Sequence, residues 1–166
     1  MLVVGIDPGT AVTGYGVVRG GEGSRLAVGD YGCIRTEPDW PLHRRVQVIY
    51  RGILQIIKQA KPDAVAVEEL FFNKNSKSAM AVGYSRGMAL LASAEAGCPV
   101  FEYPPAVVKR AVTGQGRATK EQVQYMVRHL LGLPQPPSPD DVADALAVAI
   151  CHLHSTLPTT AFICMT

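Results

Sequence analysis

The sequence predicts a single α/β domain built on a mixed five-stranded sheet with helices on both faces. Three observations support this fold class. The chain opens with three strand-like segments joined by short links, it then alternates helix-sized and strand-sized apolar segments, and its 166 residues are 48% hydrophobic and 18% charged. That length and composition suit one domain with a sizeable buried core. We therefore expect one domain over residues 1–156 and a frayed tail over residues 157–166.

The first three strands are predicted from short apolar runs with turn residues between them. Residues 2–6 form a continuous apolar run that ends at Asp7, and a Pro-Gly turn follows. Residues 14–19 and 26–35 have the composition of the next two strands, with a Gly- and Ser-containing turn between them. Sequential strands with such short links favour an antiparallel meander.

The middle of the chain adds two helices and two strands. Apolar residues recur at helical spacing over residues 42–60, and Pro62 limits that helix. Residues 63–68 then form a short apolar strand, and a strand that returns after a helix is normally parallel to its neighbour. A second helix over residues 76–96 is followed by a strand over residues 99–102.

Small residues recur every four positions on that second helix, at Ala79, Gly83 and Gly87. They leave one side of the helix bare enough for another helix to approach closely. Two interpretations are open: packing within the domain, and an interface between two copies of the chain.

The last third of the chain is predicted to be helical apart from one linker. Helices begin near Pro105 and at Thr119, where Thr119 and Gln122 have the spacing of a capping box. The proline-rich segment 133–139 is a linker, and a helix over residues 140–154 follows it. The whole order of elements resembles the ribonuclease H-like fold. That fold carries carboxylates on its first strand, its fourth strand and its last helix.

Four acidic residues fall on those three elements, namely Asp7, Glu68, Asp141 and Asp144. Asp7 and Glu68 each end a predicted strand, and neighbouring strands lie only about 5 Å apart. Asp141 and Asp144 are three residues apart, so they project from one face of a helix. Because an unpaired carboxylate is costly to bury, clustered carboxylates usually bind hard cations. The pattern predicts a site in which two Mg²⁺ ions balance the four charges and assist phosphodiester hydrolysis.

Each acid also has a simpler structural explanation. Asp7 can stabilise its turn, Glu68 can be a surface acid at a strand end, and Asp141 can serve only as a helix cap, since it lies three residues after a serine. Glu69 and Asp140 are alternatives to Glu68 and Asp141, although each would point elsewhere from its element. We favour the metal site because all four acids would otherwise fall by chance on elements that the fold brings together.

Positive charge is concentrated near the last predicted helices. The formal net charge is only +2, but the four candidate acids mask a more basic remainder. Five Lys and Arg residues and a single acid, Glu121, lie between positions 109 and 128. Local basicity beside an acidic cluster is typical of an enzyme that binds a polyanion around a metal site.

Four sequence motifs closely resemble those of the RuvC family of bacterial Holliday junction endonucleases. The first, residues 5–16, reads GIDPGTAVTGYG. The others are VEELFF at residues 67–72, VKRAVTG at residues 108–114 and DVADALA at residues 141–147. They occur in the family's order and spacing, and the likeness covers residues 1–154.

This resemblance implies a function. Members of the family are homodimers that cut two strands of like polarity symmetrically across a four-way DNA junction, and they cooperate with the branch-migration proteins RuvA and RuvB. By resemblance, the four acids are metal-binding catalytic carboxylates, with Mg²⁺ as cofactor and Mn²⁺ as its substitute. Lys109 and Lys120 are then basic residues near the scissile phosphate. The expected activity is that of a Mg²⁺-dependent endodeoxyribonuclease in DNA recombination and repair.

The loop after the fourth strand is a candidate DNA-binding surface. Phe71 and Phe72 lie there beside Lys74 and Asn75, and core packing explains two rings in a polar loop less well than one. A ring beside the metals can stack on an unpaired base, which is worth about 1 to 3 kcal/mol. Phe71 matches the family's base-stacking aromatic. Lys74 and Asn75 can contact phosphate and base edges.

Arg117 and Lys120 mark a second candidate DNA contact. Arg117 ends the short loop 114–117, just before the helix predicted at Thr119, and the N-terminus of that helix can hold a phosphate together with Lys120. The alternative is an ordinary loop with solvated charges.

Two other classes of function compete with the nuclease. The DPGT sequence at residues 7–10 also resembles the first phosphate motif of actin-like nucleotide hydrolases, but those proteins need a duplicated domain and a second phosphate loop. A non-catalytic junction-binding module is the other alternative. Cys151, His152 and His154 lie on a predicted helix without a convergent carboxylate, which favours packing over metal binding.

The sequence predicts a cytoplasmic protein with no membrane partner. Its apolar runs fall short of membrane-spanning length, and Met1 leads directly into a strand pattern without a signal-peptide pattern. The four cysteines, Cys33, Cys98, Cys151 and Cys164, show no C-x-x-C spacing, which indicates reduced thiols rather than a zinc site or a disulfide framework.

Overall fold

The structure is a computed structural model that describes residues 1–21, 25–69 and 76–156, the side chains of residues 76–79 excepted. Its strands are β1 (Leu2–Asp7), β2 (Val12–Gly20), β3 (Leu26–Arg35), β4 (Ala64–Glu68) and β5 (Val100–Tyr103), and its helices are α1 (Leu42–Ala60), α2 (Ser76–Glu95), α3 (Pro105–Thr113), α4 (Lys120–Leu131) and α5 (Asp140–Thr156). Their ends lie within two residues of the predicted ends, and α1 and β3 have the predicted bounds. The predicted tail lies outside the described residues, so the division of the chain at residue 156 stays a prediction.

The five strands form one mixed sheet in the order β3-β2-β1-β4-β5. β1, β2 and β3 are an antiparallel meander, whereas β4 is parallel to both β1 and β5. The predicted mixed five-stranded sheet is therefore confirmed. The parallel pairing of β1 with β4 places the carboxyl ends of both strands at the same edge of the sheet.

Side chains alternate between the two faces of the sheet, and each face has its own core. From β1, Val4 and Ile6 pack in a core with α1 and α2. Val3 belongs to the core formed with α3, α4 and α5, and Gly5 lies against α5. The helices therefore cover both faces, as predicted. By the same alternation, Asp7 falls on the face that α5 covers.

α5 lies directly on the backbone of the first two strands because glycines face it. A Cβ on Gly5 would come within 2.0 Å of the carbonyl oxygen of Ala145, and a Cβ on Gly14 would come within 2.0 Å of the carbonyl oxygen of Asp141. Helix and strand thus approach more closely than any side chain would allow. Although α5 is largely buried, neither it nor any other helix within the described ranges is long and apolar enough to cross a membrane.

The start of α4 has the predicted capping box. The Thr119 side chain accepts a hydrogen bond from the Gln122 amide at 3.3 Å, and the Gln122 side chain accepts one from the Thr119 amide at 2.8 Å. The linker before α5 is packed rather than free, since Leu133 and Pro137 are buried. Both ends of the segment between α4 and α5 are therefore held in place.

The cysteine and histidines of α5 have structural partners. His152 is fully buried, its Nδ1 lies 2.7 Å from the Tyr103 hydroxyl, and its ring stacks on Phe101 with centroids 4.5 Å apart. Nδ1 of His154 lies 3.2 Å from the carbonyl oxygen of Ala111. Burial raises the pKa of the Cys151 thiol to about 11. These contacts tie α5 to β5 and α3.

Candidate active site

The two strand acids lie side by side at the carboxyl edge of the sheet. Asp7 ends β1 and Glu68 ends β4, and the parallel register places Ile6 beside Val67, one residue earlier in each strand. Since Val67 packs on the face of α1 and α2, alternation places Glu68 on the opposite face, under α5. Both acids therefore face the same helix.

The two helix acids are brought over this edge by the close packing of α5. Gly14 is the β2 partner of Asp7 in the sheet, and the backbone of Asp141 rests on Gly14. Asp144 follows one turn later on the same side of the helix. The glycine at position 14 thus sets Asp141 above Asp7.

The electrostatics of the site show that the four acids act on one another. Burial raises the pKa of Asp7 well above its usual range, and the charges of Glu68, Asp144 and Asp141 raise it further. Burial, and then the charge of Asp144, raises the pKa of Glu68 to about 7. The pKa values of Asp141 and Asp144 are also raised, in both cases mainly by burial. The predicted residues therefore form one coupled cluster of carboxylates.

The neighbouring acids behave differently from the clustered ones. α5 begins at Asp140, whose pKa is lowered mainly by a hydrogen bond from Lys120. Asp141, by contrast, has a raised pKa, because burial outweighs its hydrogen bond with the backbone of the first turn. The backbone amide of Glu69 donates to the carbonyl oxygen of Tyr103 at 2.9 Å, so Glu69 continues the edge of the sheet. Asp140 is paired with Lys120, but its charge also raises the pKa values of Asp141 and Asp144, so it lies at the border of the coupled cluster.

Two lysines flank the acids. The ammonium of Lys120 lies 2.6 Å from Oδ2 of Asp140 and 3.8 Å from Oδ2 of Asp144. Lys109, on α3, is near enough for its charge to lower the pKa values of both Glu68 and Asp144. Positive charge is therefore present beside the carboxylates, where a phosphate group could be held.

Of the remaining predicted DNA contacts, the structure describes only Arg117. Arg117 is exposed in the loop between α3 and α4. The other four, Phe71, Phe72, Lys74 and Asn75, lie outside the described residues. The loop that carries them runs from β4 to α2, so it leaves the sheet next to Glu68.

The donor set fits a divalent metal ion in its chemistry. Carboxylate oxygens are the ligands that hard cations prefer, and the pKa values of Asp7 and Glu68 are raised first by burial and then by the charges of neighbouring acids. Within the described ranges, however, no three His, Cys, Asp or Glu side chains lie close enough together to form a ready metal-binding group.

Two ion pairs were not predicted, one beside the acids and one on the opposite face of the sheet. Lys120 and Asp140 are 20 residues apart, and they meet only because the starts of α4 and α5 converge. Arg86 of α2 holds Glu102 of β5 through two hydrogen bonds of 2.6 and 2.8 Å. Local sequence patterns carry no signal for such contacts. The glycines that admit α5 had a usable signal, since glycine is unfavourable inside strands unless another backbone approaches closely.

Comparisons with known proteins agree with this architecture. The family model described as "Crossover junction endodeoxyribonuclease RuvC" matches residues 3–152. A RuvC from Desulforamulus reducens is 59% identical over 152 residues, which cover 92% of this chain and 93% of that protein. A RuvC from Pelotomaculum thermopropionicum is 57% identical over 154 residues, which cover 93% of each chain.

Solved structures of RuvC proteins also match this chain. The structure of T. thermophilus RuvC in complex with Holliday junction substrate matches with a TM-score of 0.88 and 41% identity, over 93% of this chain and 94% of that chain. The yeast mitochondrial Holliday junction resolvase matches with a TM-score of 0.66 over 92% of this chain and 77% of its own, but at 12% identity it supports the fold alone. The predicted ribonuclease H-like α/β fold is confirmed by the RuvC matches.

Proposed function

The chain belongs to the RuvC family of crossover junction endodeoxyribonucleases, and from that premise we propose that it resolves four-way DNA junctions by hydrolysing one phosphodiester bond in each of two strands of like polarity. The observation that carries the proposal is the coupling of four carboxylates at one edge of the sheet. The substrate is supported by the T. thermophilus RuvC structure, which is a complex with a Holliday junction. Such cleavage serves DNA recombination and repair.

The four acids are the proposed metal ligands. Asp7, Glu68, Asp141 and Asp144 would hold two divalent cations, Mg²⁺ or its substitute Mn²⁺. When bound, such ions activate a water and stabilise the leaving oxygen of an in-line displacement. The protein's part is to keep the carboxylates close together and partly buried, which raises their pKa values, so that a bound cation takes the place of protons.

The basic residues are proposed to hold the DNA. Lys109 and Lys120 lie beside the acids, so each can neutralise a phosphate oxygen close to the bond that is cut. Arg117 is exposed in the loop between α3 and α4, three residues before Lys120, and is assigned a contact with the DNA backbone. These residues add affinity without reading the base sequence.

The loop between β4 and α2 is proposed to contact the centre of the junction. Phe71 is assigned stacking on an unpaired base, with Phe72 as its neighbour. Lys74 and Asn75 are assigned contacts with phosphate and base edges. The support is the position of the loop in the chain, directly after Glu68, together with the family resemblance.

The protein is proposed to act as a homodimer, with α2 at the interface. Met80, Tyr84 and Leu91 are 61, 40 and 51% exposed, and a Cβ on Gly87 would meet nothing within 4 Å among the described residues. These positions recur at helical spacing on one side of α2. Two copies would supply one active site for each of the two symmetric cuts. RuvA and RuvB are the further partners that the family membership implies.

A junction-cleavage assay tests the proposed function. Each strand of a synthetic four-way junction is labelled in turn and incubated with the protein and Mg²⁺, beside a linear duplex of the same sequence and a sample with EDTA. We expect paired nicks at symmetric positions in two strands of like polarity, only in the junction and only with the metal. Equal nicking of the linear duplex would contradict the proposal, and binding of the junction without nicks would favour a non-catalytic module.

A further inference from the structure

The Lys120 ammonium has two carboxylate neighbours at unequal distances. Its Nζ lies 2.6 Å from Oδ2 of Asp140, which is a direct hydrogen bond, and 3.8 Å from Oδ2 of Asp144, which is an ion pair without one. The side chain of Asp140 is 45% exposed and that of Asp144 is 22% exposed. The lysine is therefore held at the outer edge of the carboxylate cluster.

The attraction of the cluster alone would draw the ammonium further in. Lys120 has a flexible four-carbon stem and is itself 62% exposed, so packing does not fix its head group. The ammonium already lies within ion-pair distance of Asp144, at 3.8 Å, so a small rotation of the side chain would bring it onto that carboxylate. The hydrogen bond to Asp140 is the contact that opposes this movement.

Two fixed helix ends set this arrangement. Lys120 is the first residue of α4, whose start is held by the Thr119 capping box. Asp140 is the first residue of α5, whose start is held by the contact of Asp141 with Gly14. Because both helix ends are held, the fold sets the backbone separation of the two residues, and the flexible Lys120 side chain spans it.

We infer that Asp140 is a positioning residue for the reaction: it holds the Lys120 ammonium by a direct hydrogen bond at the edge of the site and so leaves Asp144 free to bind a divalent cation. The inference rests on the proposed function, because that is where Asp144 is assigned as a metal ligand. Asp140 itself is assigned neither metal nor DNA. Without it, Lys120 moves onto Asp144 and competes with the cation.

The test measures Mn²⁺ binding to the DNA-free protein by calorimetry. We expect Asp140→Ala to weaken binding about two- to fivefold, the factor that an exposed ion pair supplies. Asp140→Glu keeps a carboxylate within reach of the lysine and should bind nearly as well as the wild type. Glu121→Ala removes the same charge next to Lys120 in sequence, and it serves as the control for net charge.

A double-mutant cycle separates positioning from simple charge. In a Lys120→Met background no ammonium remains to compete, so Asp140→Ala should weaken Mn²⁺ binding no more than Glu121→Ala does. An equal loss in both backgrounds, or wild-type affinity of Asp140→Ala itself, would overturn the inference. Each variant's thermal unfolding is recorded, and Asp140→Asn, which removes the charge but keeps the size of the side chain, takes the place of Asp140→Ala in the cycle should Asp140→Ala be poorly folded.

The outcome also separates this inference from the proposed function. A wild-type protein that binds no Mn²⁺ would remove the assignment of the metal ligands and this inference with it. A wild-type protein that binds Mn²⁺ and cuts junctions, with Asp140→Ala indistinguishable from it in binding, would overturn the role of Asp140 alone.

Discussion

Replacing Glu68 with glutamine should stabilise the metal-free protein, and the gain should depend on pH. The folded state raises the pKa of Glu68 from its ordinary 4.5 to about 7. A folded protein with such a group binds the proton more tightly than the unfolded chain does. The ionised form therefore lowers the free energy of unfolding, by an amount that grows as the pH rises from 4.5 and is complete above pH 7.

The size of the effect follows from the pKa difference. At 1.36 kcal/mol per pH unit, the ionised Glu68 lowers the free energy of unfolding by about 3 kcal/mol at pH 8 and by about 1 kcal/mol at pH 5. Glutamine has nearly the same shape and no charge, so Glu68→Gln avoids this loss. The free energy of unfolding of the variant should thus exceed that of the wild type by about 3 kcal/mol at pH 8.

Urea unfolding in EDTA, at pH 5 and pH 8, measures this difference. The matched control is Glu69→Gln, which removes the same charge from the next residue along the chain. Saturating Mg²⁺ should narrow the gap between wild type and Glu68→Gln, because the cation stabilises the folded state that binds it. A gain that is equal at both pH values, or a variant that is less stable at pH 8, would refute the reasoning.

Three further substitutions test the packing of the site and its contact with DNA. Gly14→Ala would place a Cβ within 2.0 Å of the carbonyl oxygen of Asp141. We expect this substitution to lower the free energy of unfolding by at least about 1 to 3 kcal/mol, as measured by urea unfolding. We also expect it to abolish cleavage in the junction assay. Phe71→Ala should bind junctions but cut them about 5- to 150-fold more slowly, the factor that corresponds to one lost stacking contact. Tyr103→Phe leaves Nδ1 of the buried His152 without its hydroxyl partner and should lower the free energy of unfolding by about 1 to 3 kcal/mol.

Each of these has a matched control. A Cβ at Gly29 would make only ordinary contacts, at 3.4 Å from the side chain of Val17, so Gly29→Ala should be tolerated. Phe72→Ala should resolve junctions faster than Phe71→Ala does. Tyr125→Phe removes a hydroxyl from a side chain that is 57% exposed, so it should lower the free energy of unfolding less than Tyr103→Phe does. A control as damaging as its test variant would count against the contact in question.

The fold was predictable where a local pattern has one physical interpretation. The apolar run that ends in Asp7, followed by turn residues, defines a strand edge, and β4 ends in the same way at Glu68. Thr119 and Gln122 predict the start of α4 because a capping box satisfies backbone groups within four residues. The two strand acids could be placed side by side because parallel neighbours share an edge.

The remainder depends on tertiary contacts that local patterns do not encode. The pairing of Lys120 with Asp140 requires the starts of two helices to meet, and the pairing of His152 with Tyr103 requires α5 to pack beside β5. The height of α5 above the sheet is set by Gly14, whose role appears only once its backbone contact is known. The sequence left capping and metal binding both open for Asp141, and the burial that raises its pKa favours the cluster.

The most direct test of the central claim compares cleavage and binding by wild type and Glu68→Gln on the same labelled four-way junction. The variant keeps the shape of the site and its lysines but loses one carboxylate of the coupled cluster. The account predicts that it binds the junction at least as tightly as the wild type and produces no nicks in Mg²⁺. Symmetric nicking at the wild-type rate would contradict the claim that these carboxylates form the catalytic centre.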